Sequence, residues 1–338
     1  YTGKNHFAYK KAWKEFFNQH NEYKVIHGHV RSTALIYLSI AKQFGLTTIA
    51  HSHNTASDNN IKGLVKNILQ YPLRHKVDYL FSCSDLAGKW LFGEKAINRK
   101  NYFLLKNAIK ARDFVYNEKI REEKRKELDL IDNLVIGHVG RFNYQKNHSF
   151  LIDIFNQILK LENKAVLLLI GQGNLLEEIK EKVKKLKIED KVIFTGVRGD
   201  IPELLQAIDL IIFPSFHEGL PVTMIEAQAA GVPCLISSTI TKEVVITDLI
   251  RQMSIKLDAK SWAKEALEIA YKTKRQSQLQ NIIASGYDID TTSTTLLKFI
   301  CLYLITEEIQ NEKINDIYSF PSYRWGRETR SRHCQENK

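Results

Sequence analysis

The chain has 338 residues, 44% of them hydrophobic and 26% charged, and no apolar run approaches the roughly 18 residues of a membrane span. That is the composition of a soluble globular protein with room for two ordinary domains, and it argues against a disordered chain. The net charge of +11 is concentrated: residues 1–130 hold 23 Lys and Arg against 12 Asp and Glu, and the remaining 208 hold 26 of each. Such asymmetry predicts an anionic partner for the first part, a membrane surface or a phosphorylated lipid, whereas no motif supports nucleic acid.

In chain order, the N-terminus "YTGKNHFAYKKAWKEFF" lacks the apolar core of a signal peptide. Cys83, Cys234, Cys301 and Cys334 match no zinc or redox spacing, so a reducing cytosol is expected. "YKVIHGHV" (23–30), "GLTTIAHSH" (45–53), "VDYLFSCS" (77–84) and "NYFLLKN" (101–107) read as strands running into loops. Helices are expected near 7–19, 33–44, 60–74 and 85–93, and an exposed charged helix at 117–130. Residues 1–130 are thus read as an incomplete α/β unit.

From Leu134 the alternation is clean. The strands "LVIGHVG" (134–140), "AVLLLIG" (165–171), "KVIFTG" (191–196), "DLIIFPS" (209–215) and "PCLIS" (233–237) are interleaved with helical stretches. Apolar strands each followed by an amphipathic helix describe a parallel sheet covered on both faces. Residues 131–285 are therefore expected to form a doubly wound, Rossmann-like domain that binds ligand at the carboxyl ends of its strands. Residues 286–310 are expected to supply a helix packing back on the first domain, and 311–338 an irregular tail. "DID" (288–290) reads as an acidic helix cap, not as a metal-binding aspartate pair.

Four constellations sit at these strand ends. His27, His29, His51 and His53 end the first two strands; zinc is one reading, but no carboxylate or cysteine spacing completes it, and bonding to loop backbone is another. Arg141 and Lys146 in "GRFNYQKN" suit a diphosphate. Gly171 and Gly173 in "GQGN" leave space for a ligand's approach, while the full dinucleotide fingerprint is absent. In "SFHEGLPVTMIEAQAAGVP" (215–233), Pro221 suits the first position of a helix, leaving the N–H groups of Gly219, Leu220 and Val222 free for a ligand. Glu218 lies just before that helix and Glu226 lies inside it, about 7–8 Å along the axis. A carboxylate accepts two hydroxyls at once, so the pair matches a ligand with a diol at each end and phosphates between, the form of a nucleotide sugar.

These motifs, in this order, resemble the retaining glycosyltransferases of the GT-B fold, family 4, with E-x7-E in the second domain. "GRFNYQKNH", "LIGQG", "VIFTG", the "HEGLPVTMIEAQAAGVP" block and "GYDI" carry the likeness, and "IAHSHN" and "FSCSDLAGKWLFG" resemble the subgroup that builds bacterial capsular and extracellular polysaccharides. The resemblance implies two Rossmann-like domains facing a cleft, the C-terminal one for the donor and the N-terminal one for the acceptor. It implies that Arg141 and Lys146 bind the donor diphosphate, that Glu218 with Gly219 and Leu220 contacts the hexose, and that Glu226 holds the ribose. His53 matches a cleft histidine near the reacting sugar, with His51 as substitute and His27 and His29 on the acceptor side. It also implies a UDP-sugar donor, a lipid-linked saccharide acceptor, no divalent metal, and a site of action on the cytoplasmic face of the plasma membrane. The family's starting methionine, first strand and glycine-rich loop are not found, so a fragment or short form is expected. Two alternatives share the scaffold: an inactive nucleotide-sugar-binding protein, and a GT-B epimerase of UDP-N-acetylhexosamine.

Overall fold

The computed structural model describes residues 5–53 and 70–301. Most of the helix expected at 60–74, the tail 311–338 and Cys334 lie outside the described residues.

The first unit contains a four-stranded parallel sheet in the order β1 (Val25–Gly28), β2 (Thr47–Ser52), β3 (Tyr79–Ser82), β4 (Tyr102–Leu104). Its helices are α1 (His6–Gln19), α2 (Ala34–Gln43), α3 (Leu73–Lys76) and α4 (Asp85–Phe92). One face packs Tyr37, Leu38, Ala50, Leu80 and Phe92; the other packs Ile49 and Phe81 against Phe299. Phe299 belongs to the helical segment 289–301, so the chain's later part returns to the first sheet. Its ring lies 4.9 Å from Tyr79, 5.2 Å from Phe81 and 4.7 Å from Phe103. Asp288 caps that segment, its carboxylate accepting the N–H of Thr291 at 3.3 Å.

The charged stretch after the first sheet forms α5 (Glu118–Glu127). It is the helix expected there, but its basic side chains are not exposed: Arg121, Lys124 and Arg125 are only 12–14% accessible. Arg121 and Arg125 both pair with Asp209, Lys124 reaches Asp200 at 2.9 Å, and the Asp209 carboxylate also accepts the N–H of Val135. The helix is clamped to the second unit by its basic face.

That unit holds β5 (Leu134–Val139), β6 (Ala165–Ile170), β7 (Val192–Gly196), β8 (Leu210–Phe213), β9 (Cys234–Ser237) and β10 (Ile250–Met253). All six are parallel, in the order β10-β9-β8-β5-β6-β7. The interleaved helices are α6 (His148–Leu159), α7 (Leu176–Lys185), α8 (Ile201–Ala207), α9 (Val222–Ala229), α10 (Ala259–Lys272) and α11 (Leu279–Ala284). Side chains alternate across the sheet as a period of two requires. Val166, Leu168 and Ile170 join one core with Met224 and Ile225 of α9. Ala165, Leu167 and Leu169 join the other with Phe155 of α6 and Trp262 of α10. β10 extends the predicted series by one strand.

The chain leaves β5 toward β6 on one side, and returns past it to β8 on the other. The crevice between the carboxyl ends of β5 and β8 is therefore the topological switch point, where a doubly wound sheet opens a binding site.

Beneath that crevice two histidines are buried, His138 on β5 and His148 at the start of α6. His138 Nδ1 meets the Ile212 carbonyl at 2.9 Å, whereas neither ring nitrogen of His148 has a hydrogen-bond partner among the described residues. The His148 ring stacks on Phe142 at 4.1 Å, and burial, with Lys146 nearby, lowers its pKa to about 4. An unfolded histidine titrates near 6.5, so between pH 6.5 and 4 the unfolded chain binds the extra proton, and stability is lost as pH falls. His148→Phe keeps the stacking and removes this loss. Urea titrations at pH 7 and pH 4.5 should show the variant gaining on the native chain in acid, by an amount on the order of 3 kcal/mol at most.

Candidate active site

Two loops meet at the switch point. The loop after β5 carries Arg141, Gln145 and Lys146; the loop after β8 carries His217, Glu218 and Gly219 and leads into α9. They are stitched together by Phe216 N–H donating to the Gln145 carbonyl at 2.9 Å, and by Gln145 Nε2 donating to the His217 carbonyl and to Glu218 Oε2. Lys146 Nζ meets Glu218 Oε1 at 2.8 Å and lies 4.4 Å from the centroid of the Phe213 ring. The Glu218 side chain is only 7% exposed and that of Lys146 15%, so this pair is shielded from water. Residues assigned separately to phosphate and to hexose thus hold each other. Pairing across 72 positions has no signal in the sequence. Arg141 is exposed and has no ion-pair partner among the described residues.

The loop after β6 forms the next wall, and its glycines answer to a nearer constraint than ligand approach. A Cβ on Gly171, whose φ is +140°, would stand 2.1 Å from the Gly140 carbonyl oxygen, and one on Gly173 would stand 2.3 Å from that of Phe142. The two loops are in backbone contact, with Phe142 N–H donating to the Gln172 carbonyl and Leu175 N–H to the Phe142 carbonyl. Gly173→Ala should push the Arg141–Lys146 loop away and destabilise the fold by about 2–3 kcal/mol, measurable as a lowered urea midpoint with an unchanged m-value.

α9 begins at Val222, with Pro221 as its cap residue and no side chain capping it. Among the described residues, nothing accepts the N–H groups of Gly219, Leu220, Val222 and Thr223. Such a helix start favours anions and polar oxygens. Met224, Ile225, Ala227 and Gln228 are fully buried and anchor the helix in the core. Gln228 fixes the following loop, donating to the carbonyls of Met224 and Val244 and accepting from Thr247. Glu226 lies on this rigid support, half-buried, with no hydrogen bond or ion pair among the described residues. Burial pushes its pKa up. An uncompensated, partly desolvated carboxylate is costly to keep and marks a place where a ligand supplies donors.

The four first-sheet histidines also converge. Strand pairing sets His27 opposite Ile49 and so diagonal to His51 on the same face, with ring centroids 5.1 Å apart and nearly parallel and His27 Nε2 3.1 Å from His51 Nδ1. His29 Nδ1 meets His53 Nε2 at 2.8 Å. Burial first, then the neighbouring rings, lowers the His27 pKa to about 4 and that of His51 further; burial also lowers His29 and His53. All four are uncharged at neutral pH, as a general base or hydrogen-bonding group requires.

Residues 120–286 match the family described as glycosyl transferases group 1. The chain is 29% identical over 303 residues to the Bacillus subtilis protein named glycosyltransferase EpsF, covering 87% of this chain and 78% of that one. It is 25% identical over 225 residues to an Escherichia coli UDP-Gal:alpha-D-GlcNAc-diphosphoundecaprenol alpha-1,3-galactosyltransferase, covering 64% of this chain and 58% of that one. Its fold is similar to that of Anabaena HepE solved with UDP, at a TM-score of 0.74 and 17% identity, over 86% of this chain and 82% of that one. Sucrose-phosphate synthase of Thermosynechococcus elongatus is similar at a TM-score of 0.72 and 16% identity, over 88% and 78% of the two chains. With the two parallel sheets and the loops at the switch point, these likenesses make the chain a glycosyltransferase with the fold of the GT-B enzymes, its residues 120–286 belonging to the glycosyl transferases group 1 family.

Proposed function

We propose that the protein transfers a hexose from a UDP-sugar to a lipid-linked saccharide, with retention and without a divalent metal at the donor. The observation that carries this reading is the half-buried, unpartnered Glu226 beside an uncapped helix start and the shielded Lys146–Glu218 pair. Glu226 accepts the ribose hydroxyls. The N–H groups of Gly219 and Leu220, with Arg141 and Lys146, take the diphosphate, and Glu218, steered by Lys146 and Gln145, accepts hexose hydroxyls. Gly171 and Gly173 keep the adjoining loop tight against the Arg141 loop.

In the transfer step the bond from the anomeric carbon to the β-phosphate oxygen breaks, and the acceptor oxygen bonds to that carbon on the same face. The acceptor's proton passes to the departing phosphate oxygen, whose developing charge is met by Arg141, Lys146 and the helix start. His53 and its neighbours His51, His29 and His27, uncharged and at strand ends, serve the acceptor side.

The relatives support the class of substrate: the name of the E. coli protein states UDP-Gal and a diphosphoundecaprenol-linked acceptor, and HepE has been solved with UDP-glucose. Membrane contact is supported by α1, where Phe7, Lys10, Lys11 and Lys14 are all exposed at helical spacing along one stripe. The proposed place of action is the cytoplasmic face of the plasma membrane, whose anionic lipids suit such a stripe. The test is a transfer assay with labelled UDP-hexoses and a polyprenyl-diphosphate saccharide in EDTA, with the product anomer read by NMR. An α-linked product supports the proposal. Release of an epimerised nucleotide sugar, or donor binding without any product, would replace it with one of the two alternatives.

A further inference from the structure

A second cluster with chemistry of its own lies on the first sheet. His27 of β1 and His51 of β2 share the sheet face that packs on Phe81, and the register, which sets His27 opposite Ile49, leaves His51 diagonally beside it; His29 and His53 follow just past the ends of the two strands. One ring nitrogen from each of His27, His29 and His51 lies within 4.8 Å of the others. The closest pair, His27 Nε2 and His51 Nδ1, stands 3.1 Å apart, close to the spacing of about 3.3 Å that two imidazole nitrogens have on one tetrahedral zinc. His51 is 6% exposed, and the nitrogen it turns to His27 is Nδ1, so the cluster reaches into the buried part of the sheet face. His29 is exposed, which gives an ion a way in. The remaining ring is already in a supporting position: His53 Nε2 bonds His29 Nδ1 at 2.8 Å, the kind of second contact that fixes the orientation of a ligating imidazole.

We propose that His27, His29 and His51 form a three-nitrogen site for a zinc-class divalent ion, with a fourth coordination position open on the His29 side. The donor set has no carboxylate, so it selects borderline ions such as Zn2+, Co2+ or Ni2+ and not Mg2+ or Ca2+. The sequence alone argues against a metal, because no carboxylate or cysteine spacing completes the histidine set. A site with three histidines and an open position needs neither. The site is separate from the donor loops, so it is compatible with metal-independent donor binding. An ion here would offer its open position to a water or to an acceptor oxygen.

The experiment uses the purified full chain, free of any affinity tag and stripped with chelator, titrated with Co2+ alone. One equivalent should produce the intense visible bands of four-coordinate Co2+, and one equivalent of Zn2+ should abolish them. His29→Ala and His27→Ala should each weaken Co2+ binding at least tenfold, while His20→Ala, outside the cluster, should leave it unchanged. Because His29 is exposed, its variant tests the ligand without disturbing the core. A folded chain that gives no bands and takes up no Zn2+, or binding equally tight in the His29 and His27 variants, would overturn the proposal. UDP titration of the same samples reads the donor site separately, so failure of one reading does not bring down the other.

Discussion

Lys146→Ala should lower kcat by about 10²–10³-fold, the range for removing one group that stabilises transition-state charge. Lys146 is the cation on the rigid side of the switch point, held over Phe213 and against Glu218. In the proposed role, its loss removes a counter-charge to the departing phosphate, and it leaves the shielded Glu218 with the Gln145 amide but without a cation. The latter is a stability effect of roughly 3 kcal/mol for a well-buried pair, less here because Lys146 keeps some contact with water. The two consequences separate in a double variant. Lys146→Ala with Glu218→Gln should recover much of the lost stability, measured by urea unfolding, and recover none of the turnover. If the double variant regained activity along with stability, Lys146 would be a structural partner of Glu218 and not a catalytic residue.

Glu226→Ala should behave in the opposite sense on the two scales. A carboxylate taking two ribose hydroxyls makes two charge-assisted hydrogen bonds of about 1.5–3 kcal/mol each, so UDP affinity should fall on the order of 10²–10⁴-fold. The unliganded protein should meanwhile become more stable, because a half-buried charge without a partner has been removed. Its sign with pH follows from the raised pKa: above the ordinary carboxylate range the folded state holds the proton more tightly than the unfolded one. The native chain therefore loses stability as pH rises through that window, and the variant does not. Thermal melts with and without UDP across pH 4–7 would display both effects. Equal UDP affinity in variant and native chain would remove the ribose assignment.

The second sheet was readable because strands buried on both faces are written as unbroken apolar runs, as in "AVLLLI" and "LIIF". β10 was not, since Ile250–Met253 is a short edge strand with exposed Arg251 and polar Gln252, and no run marks it. The site residues were legible where a local pattern placed them: Pro221 at a helix start, Glu226 in a small-residue helix, histidines at strand ends. Contacts between distant positions were not. The Lys146–Glu218 pair depends on how two loops pack, and the crowding at Gly171 and Gly173 depends on the backbone of residues 140–142. The charged helix at 117–130 reads as exposed because the partners of its basic residues, Asp200 and Asp209, lie some 75–90 positions away. Likewise, the histidines could be named from sequence, but the diagonal meeting of His27 with His51 depends on a register that sets His27 opposite Ile49.

A metal-independent uridine-nucleotide site at the β5–β8 switch point can be checked by calorimetric titration of the purified chain with UDP and with GDP, each in EDTA and in Mg2+. The expected result is one UDP per chain, weaker binding of GDP, and the same UDP affinity in EDTA as in Mg2+. A well-folded chain that binds no UDP, or binds it only when Mg2+ is present, would contradict it.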